Sequence, residues 1–285
     1  MDGITIHQFK ALLAEELKGL YAEEEIRQFA SLLLQHILKV DNTQLLLLNR
    51  EPLPQSILDE LESFTSALKK QVPIQYLLGT CEFYGLPFTV NPAVLIPRPE
   101  TEELVAWILA DESEAKSILD IGTGSGCIAI SLKVYKPDCA LTAWDISPDA
   151  LATAADNARM NKAALNFEQV DILAHHPDDR LFDCIVSNPP YVRDLEKKMM
   201  ASNVLDHEPH SALFVSDDDP LIFYRCIAQH ALKMLSPGGS LYFEINEFLA
   251  AEMQTMLHGL GYKNIVCRKD INGKDRMMRA INGNA

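Results

Sequence analysis

With 285 residues, 48% of them hydrophobic, the chain is long enough for one large domain plus a small one and can bury a substantial core. A formal net charge of -15 repels phosphate backbones, so tight direct binding to DNA or RNA is not expected, and a protein or small-molecule substrate fits better. Residues 1–10 lack the basic start and apolar run of a signal peptide, and Leu45 to Leu48 is too short to span a bilayer. No membrane partner is therefore expected, and the expected location is cytoplasmic.

In chain order, Thr5 is placed to cap a helix whose apolar positions Phe9, Leu12, Leu13, Leu17 and Leu20 recur at helical spacing. Ile26, Phe29, Ala30, Leu33, Leu34 and Ile37 mark a second stripe, and Ile57, Leu61, Phe64 and Leu68 a third between Pro54 and Lys70. Residues 1–75 thus read as an N-terminal helical bundle, placed to grip a substrate. Aromatic and β-favouring residues flank Gly85-Leu86-Pro87, which predicts a β-hairpin linker within residues 76–98. Residues 99–285 then form the larger domain.

There, strand-like runs at 117–121, 140–144, 166–170, 182–186 and 240–245 alternate with helical stretches, the pattern of an α/β parallel sheet wrapped by helices. Residues 264–268 and 276–281 are joined by too few residues for a crossover helix, so they pair antiparallel. Seven strands ending in an antiparallel pair differ from a purely parallel dinucleotide fold. The six cysteines show no CxxC pair and read as buried, reduced thiols.

The turn Asp120-Ile121-Gly122-Thr123-Gly124-Ser125-Gly126 closes the first of these strands and opens a helix. Its glycines permit a sharp turn and close approach of a carboxylate or pyrophosphate to a helix N-terminus. Gly124, Gly126 and Ala129 also satisfy GxGxxA, with Asp145 about 20 residues on, so a NAD-dependent oxidoreductase must be weighed. Against it, the fingerprint starts late after the strand. Asp145 ends the second strand, where its carboxylate can accept from the ribose hydroxyls of an adenosine. Asp171 ends the third, near where an adenine would lie, or simply closes a strand-end turn.

The fourth strand runs directly into Asn188-Pro189-Pro190-Tyr191. Two prolines stiffen the backbone and donate no N–H, so the Asn188 side-chain oxygen and the Pro189 carbonyl form a rigid pair of acceptors, which suits an NH2 group. Tyr191 is expected to pack over the planar group that carries it.

With these motifs in place, the chain resembles the HemK/PrmC family, the release factor glutamine methyltransferases. Beyond the glycine turn and Asn-Pro-Pro-Tyr, the likeness rests on Pro73-Ile74-Gln75-Tyr76-Leu77-Leu78-Gly79, Phe83-Tyr84-Gly85 and Leu95-Ile96-Pro97-Arg98-Pro99-Glu100-Thr101-Glu102. The resemblance implies a Rossmann-like class I methyltransferase sheet, S-adenosyl-L-methionine as cofactor with S-adenosyl-L-homocysteine as product, no metal, and peptide chain release factors as protein substrates. The methylated atom is then the side-chain amide nitrogen of the glutamine in a Gly-Gly-Gln motif. Gly122, Gly124 and Gly126 are expected around the methionine moiety and Asp145 at the ribose, with Asp120, Thr123, Asp171 and Asn188 as further cofactor contacts, Asp171 near the adenine. Asn188, Pro189, Pro190 and Tyr191 are expected around the glutamine amide, with Glu208 bracing the substrate loop. An alternative, N6-adenine or rRNA base methylation, uses the same loop on a flipped base.

Two departures from the family stand out: Asp219-Pro220-Leu221 in place of Asp-Gly-Leu, and Asn246 after Glu244-Ile245 where a glycine is usual. In His207-Glu208-Pro209-His210 the proline prevents the helix that would align two histidines on a metal. His175-His176 and Asp217 to Asp219 read as solvated loop residues, and Met199-Met200 and Met277-Met278 as packing.

Overall fold

The computed structural model describes residues 3–174 and 179–283, so the His175-His176 pair lies outside the described residues. The chain forms two compact units, one of residues 1–79 with 201–207, the other of residues 80–200 with 208–285.

The first unit holds α1 (Ile6–Glu16), α2 (Glu23–Leu38), α3 (Asn42–Leu47), α4 (Gln55–Lys69) and α5 (Ile74–Leu78). Thr5 caps α1 as expected: its side chain accepts from the Gln8 N–H while the Gln8 side chain accepts from the Thr5 N–H, pairing two otherwise orphaned donors. Asp41 and Gln44 repeat this box at α3, an element too short to show periodicity. The core of this unit includes Leu13, Leu17, Leu33, Leu34, Leu61 and Leu68, each at most 1% exposed, whereas Leu12 and Leu20, expected on the first stripe, are exposed because Leu12 faces away from the other helices and Leu20 lies past the end of α1.

The second unit opens with the hairpin β1 (Thr80–Phe83) and β2 (Leu86–Thr89), which belongs with the sheet and is not a free linker. There follow α6 (Pro99–Asp111), β3 (Ser117–Ile121), α7 (Cys127–Tyr135), β4 (Ala140–Asp145), α8 (Pro148–Met160), β5 (Asn166–Gln169), β6 (Phe182–Ser187) and β7 (Val192–Arg193). The short α9 (Ser202–Leu205) returns to the first unit, where His207 Nε2 lies 3.0 Å from the Lys70 carbonyl. The chain then continues through α10 (His210–Leu213), β8 (Phe214–Val215), α11 (Ile222–Met234), β9 (Leu235–Glu244), α12 (Ala250–Gly259), β10 (Lys263–Lys269) and β11 (Asp275–Ile281).

Seven strands make one sheet in the order β10-β11-β9-β6-β3-β4-β5, parallel except at β11, which runs antiparallel to both β9 and β10. Because successive side chains alternate, Leu119 and Ile121 of β3 join the cluster packed with Tyr224 and Met234 of α11, whereas Ile118 joins the opposite cluster with Leu104 and Ile108 of α6. Asp120 shares the face of Ile118, which is why it is fully buried. The chain winds outward from β3 to β5 and then returns to β6, so the switch point lies between β3 and β6. Ligands collect at such a point, beyond the carboxyl ends of the strands.

Met277 and Met278 are buried, whereas Met199 is 70% exposed, contrary to the packing role expected of it; it ends a short surface turn of 3-10 helix. Cys139 and Cys184 are buried, and the other four cysteines are only half-buried because they sit near element ends and on the sheet's outer strand. No helix of the described residues is long and apolar enough to cross a membrane.

Candidate active site

Strand register brings the chemistry to one level. Ile121 pairs with both Trp144 and Ser187, and Ser187 pairs with Phe243, so the ends of β3, β4, β6 and β9 lie side by side. The Ser187 hydroxyl also donates to the Ile121 carbonyl at 2.7 Å, tying the start of the Asn-Pro-Pro-Tyr loop to the start of the glycine turn. Beyond these ends opens a cavity of about 400 Å³, lined by residues 121–125, 145–147, 170–173 and 187–190 together with segments at 93–98 and 211–214. That size suits a nucleoside-containing ligand.

The glycine turn is held by its neighbour strand. The N–H groups of Gly122 and Thr123 both donate to the Trp144 carbonyl, at 2.8 and 2.9 Å, and the Gly124 N–H donates to Asp145 Oδ2 at 2.8 Å. Gly122 (φ 74°) and Gly124 (φ 55°) take left-handed conformations, and a Cβ built on either meets nothing within 4 Å. Their glycines therefore keep wall space open. Gly126 (φ 81°) is glycine for a different reason: its Cβ would stand 2.7 Å from Ile130 Cδ1 and 3.1 Å from Ala154 Cβ.

Asp120 accepts from the Thr123 hydroxyl at 2.6 Å through Oδ2, while Oδ1 is buried without a partner. Burial pushes its carboxyl up to about 7, with the Thr123 hydroxyl and the Ala129 N–H opposing the rise and the neighbouring Asp145 adding to it. Fully buried, Asp120 stands behind the turn and not on the cavity wall where a cofactor contact was expected. Asp145 is also raised by burial, against the stabilising N–H groups of Ser147 and Gly124. Each of its oxygens accepts one of those donors and keeps a lone pair for a ligand. Asp171 borders the cavity but is exposed, and its Oδ1 accepts from the Leu173 N–H at 3.0 Å. It closes a strand-end turn at that edge.

Across the crevice, Asn188, Pro189 and Pro190 line the cavity. Among the described residues neither Asn188 Oδ1 nor the Pro189 carbonyl has a hydrogen-bond donor, whereas Asn188 Nδ2 points to Thr101 Oγ1 at 3.5 Å. Tyr191 stands elsewhere than expected: it is not a wall of the cavity, and its hydroxyl donates to Glu244 Oε1 at 2.9 Å. The buried carboxylate at the end of β9 draws the phenol toward itself. Glu208 also differs from expectation. It is buried, pairs with Arg98 at 2.6 Å and accepts the Ile96 N–H at 3.1 Å, so it braces the segment of residues 95–98 that walls the cavity, and makes no bond to the Asn-Pro-Pro-Tyr loop.

Three buried polar residues have roles that the sequence motifs alone do not assign. Asn157, within α8, accepts from the Thr89 N–H and donates to the Thr89 and Ser125 carbonyls, fastening hairpin and glycine turn together. Thr101 and Glu244 meet at 2.5 Å. Only Glu244 carries a signal in the sequence, a charged residue closing an otherwise apolar strand, since such groups are buried only with partners; Asn157 and Thr101 stand among charged neighbours in their helices and carry none. Asn246, the departure from the family pattern, donates to the Tyr191 carbonyl and to buried Glu196, so it clamps the Asn-Pro-Pro-Tyr loop where a glycine has no side chain to do so. Pro220 lies in the tight turn that opens α11, where the Ile222 N–H donates to the Asp219 carbonyl. Among the described residues no group of three or more His, Cys, Asp or Glu is placed to hold a metal.

Comparison with known proteins agrees with both units. Residues 8–79 match the PrmC N-terminal domain, and residues 101–214 match the methyltransferase small domain. The release factor glutamine methyltransferase of Flavobacterium psychrophilum is 45% identical over 281 residues, covering 97% of this chain and 99% of that protein. The protein of the same description from Bacteroides thetaiotaomicron is 44% identical, covering 96% and 99%. Among solved structures, a methyltransferase from Pyrococcus furiosus superposes with a TM-score of 0.55 at 17% identity, covering 77% of this chain and all of that one, a likeness of fold.

Proposed function

Given that the chain belongs to the release factor glutamine methyltransferase family, we propose that its cavity transfers a methyl group from S-adenosyl-L-methionine to the side-chain amide nitrogen of the glutamine in the Gly-Gly-Gln motif of peptide chain release factors. The observation that carries this reading is the pair of free acceptors, Asn188 Oδ1 and the Pro189 carbonyl, on the wall facing the glycine turn.

The residues present fit the cofactor. Open space over Gly122 and Gly124 admits a ligand close to the backbone, and Asp145 keeps lone pairs for a ribose diol. When bound, S-adenosyl-L-methionine supplies an electrophilic methyl on a sulfonium.

An amide nitrogen is a poor nucleophile because its lone pair is delocalised into the carbonyl. Two fixed acceptors, one for each amide proton, orient that nitrogen and stabilise positive charge as it develops there, combining positioning with preorganised electrostatics. The prolines make the acceptors rigid, so little reorganisation is needed. Arg98, held by Glu208, and the apolar walls limit access of water. The proton leaves after transfer, so neither a metal nor a general base is assigned. The N-terminal unit is assigned to holding the protein substrate, the expected location is cytoplasmic, and direct nucleic-acid binding is not part of the function.

Incubation with labelled S-adenosyl-L-methionine and a release factor tests this. Label should enter the Gly-Gly-Gln glutamine and be absent from a factor with that Gln changed to Ala; equal labelling of both rejects the assignment.

A further inference from the structure

We propose that Thr101 and Glu244 are positioning residues that decide which end of the Asn188 side chain faces the substrate amide. The inference rests on the function proposed above, in which Asn188 Oδ1 accepts a hydrogen bond from the substrate amide.

The two ends of an asparagine amide are almost the same shape but opposite in hydrogen-bonding sense. Only the oxygen end can accept from a substrate NH2. A flipped side chain would set donors against donors, so the site needs something that chooses, and the sense of the hydrogen bonds behind Asn188 supplies it.

Glu244 is 1% exposed and, when ionised, can only accept. Its Oε1 takes the Tyr191 hydroxyl at 2.9 Å, and its Oε2 takes the Thr101 hydroxyl at 2.5 Å. Thr101 has one hydroxyl proton, and that proton is committed to the carboxylate. What Oγ1 then presents to Asn188 is lone pairs alone. They attract Nδ2, which stands at 3.5 Å, and repel Oδ1. At that length the contact is a directional bias more than a strong bond. The bias falls in the right direction: Nδ2 is drawn to Thr101 and Oδ1 is left for the cavity. Asn246 steadies the same loop through the Tyr191 carbonyl, so Tyr191 is held at both its hydroxyl and its backbone.

The arrangement depends on the charge of Glu244. Groups facing it are Thr101 and Glu100 from α6, Tyr191 from the loop, Tyr224 from α11, Arg276 from β11 and Cys127 from α7. Burial, the largest influence, raises its carboxyl above the ordinary glutamate value, with Thr101, Tyr191 and Arg276 opposing. Once protonated, Glu244 can donate to Thr101, whose own proton is then released toward Asn188, and the preference for Oδ1 in the cavity is lost. Turnover therefore falls at acid pH as Glu244 gains its proton.

Methylation of a release factor by the full-length chain, followed as kcat and as KM for each substrate across pH, tests this with Thr101→Val, Thr101→Ser and Glu244→Gln. Thr101→Val, equal in shape but without the hydroxyl, should lower kcat about 10-fold or more while KM for the cofactor moves by less than about 2-fold, the pattern of lost orientation. Thr101→Ser should recover most of the loss, and Glu244→Gln should lack the acid limb seen in the unmodified enzyme. Thr101→Val turning over like the unmodified chain, Val and Ser variants equally slow, or an unchanged acid limb in Glu244→Gln would each overturn the inference. An unmodified chain that fails to label the glutamine rejects the proposed function instead, which separates the two failures.

Discussion

Asp120 offers a test of the site's electrostatics that needs neither cofactor nor substrate. Its carboxyl is fully buried and burial pushes it up to about 7, from an ordinary value of 3.8. Each tenfold change in a proton equilibrium corresponds to about 1.4 kcal/mol, so ionising this group in the folded chain costs roughly 4 kcal/mol more than in the unfolded one. Between these two values the unfolded chain has already released the proton that the folded chain keeps. The stabilising contribution is therefore complete below about pH 4 and is lost as pH rises to about 7. From pH 5 to 8 the loss should be on the order of 3 kcal/mol. Asp120→Asn removes the titration while nearly preserving shape. Both tryptophans, Trp107 and Trp144, lie in the sheet unit, so urea unfolding followed by their fluorescence reports on that unit alone. The stability of the unmodified chain relative to Asp120→Asn should fall by that amount over this range. A difference that stays flat within about 0.5 kcal/mol would mean the carboxyl ionises in the fold as freely as in water, and the reasoning from burial would fail.

Asn188→Ala should lower kcat roughly 100-fold, the scale for one preorganised polar group, while calorimetry finds S-adenosyl-L-homocysteine bound as before; lost cofactor binding with chemistry retained would contradict its role. Gly124→Ala adds a methyl that meets no protein atom, so it should cost only about 1 kcal/mol for its positive φ yet weaken cofactor binding about 10-fold or more. Gly126→Ala should cost more stability than that, because the new methyl presses on Ile130 and Ala154, and equal unfolding midpoints for the two variants would refute the distinction. Glu208→Ala strips partners from Arg98 and the Ile96 N–H; with Arg98 30% exposed and able to rehydrate, about 2 kcal/mol should be lost in urea titration, and a loss below about 0.5 kcal/mol would deny the brace.

What could be read from the sequence was what depends on neighbours in the chain. Apolar strand-like runs mark the strands, the short joint at residues 270–274 marks the antiparallel pair, and the glycine turn and Asn-Pro-Pro-Tyr loop each follow a strand end. Those features are set by local spacing. The side chains that hold the loop are different in kind. Tyr191 and Glu244 lie 53 residues apart, Thr101 and Glu244 lie 143 apart, and Ile96 and Glu208 lie 112 apart. Each pairing exists only because strand register and helix docking bring those positions to one level, and one sequence does not display register.

The same contrast explains why Tyr191 and Glu208 stand elsewhere than their sequence neighbours suggest. A tyrosine after two prolines beside a planar substrate suggests stacking, but a buried carboxylate without partners is far costlier than a lost stacking contact. Glu244, at the end of an otherwise apolar strand, therefore recruits the hydroxyls within its reach, and Tyr191 is one of them. Glu208 takes the nearest guanidinium and N–H for the same reason. On the cavity wall, Asn188 Oδ1 and the Pro189 carbonyl are acceptors that no buried group claims. In the proposed function, chemistry at this site falls to the polar atoms of the cavity wall that the packing of the fold leaves unspent.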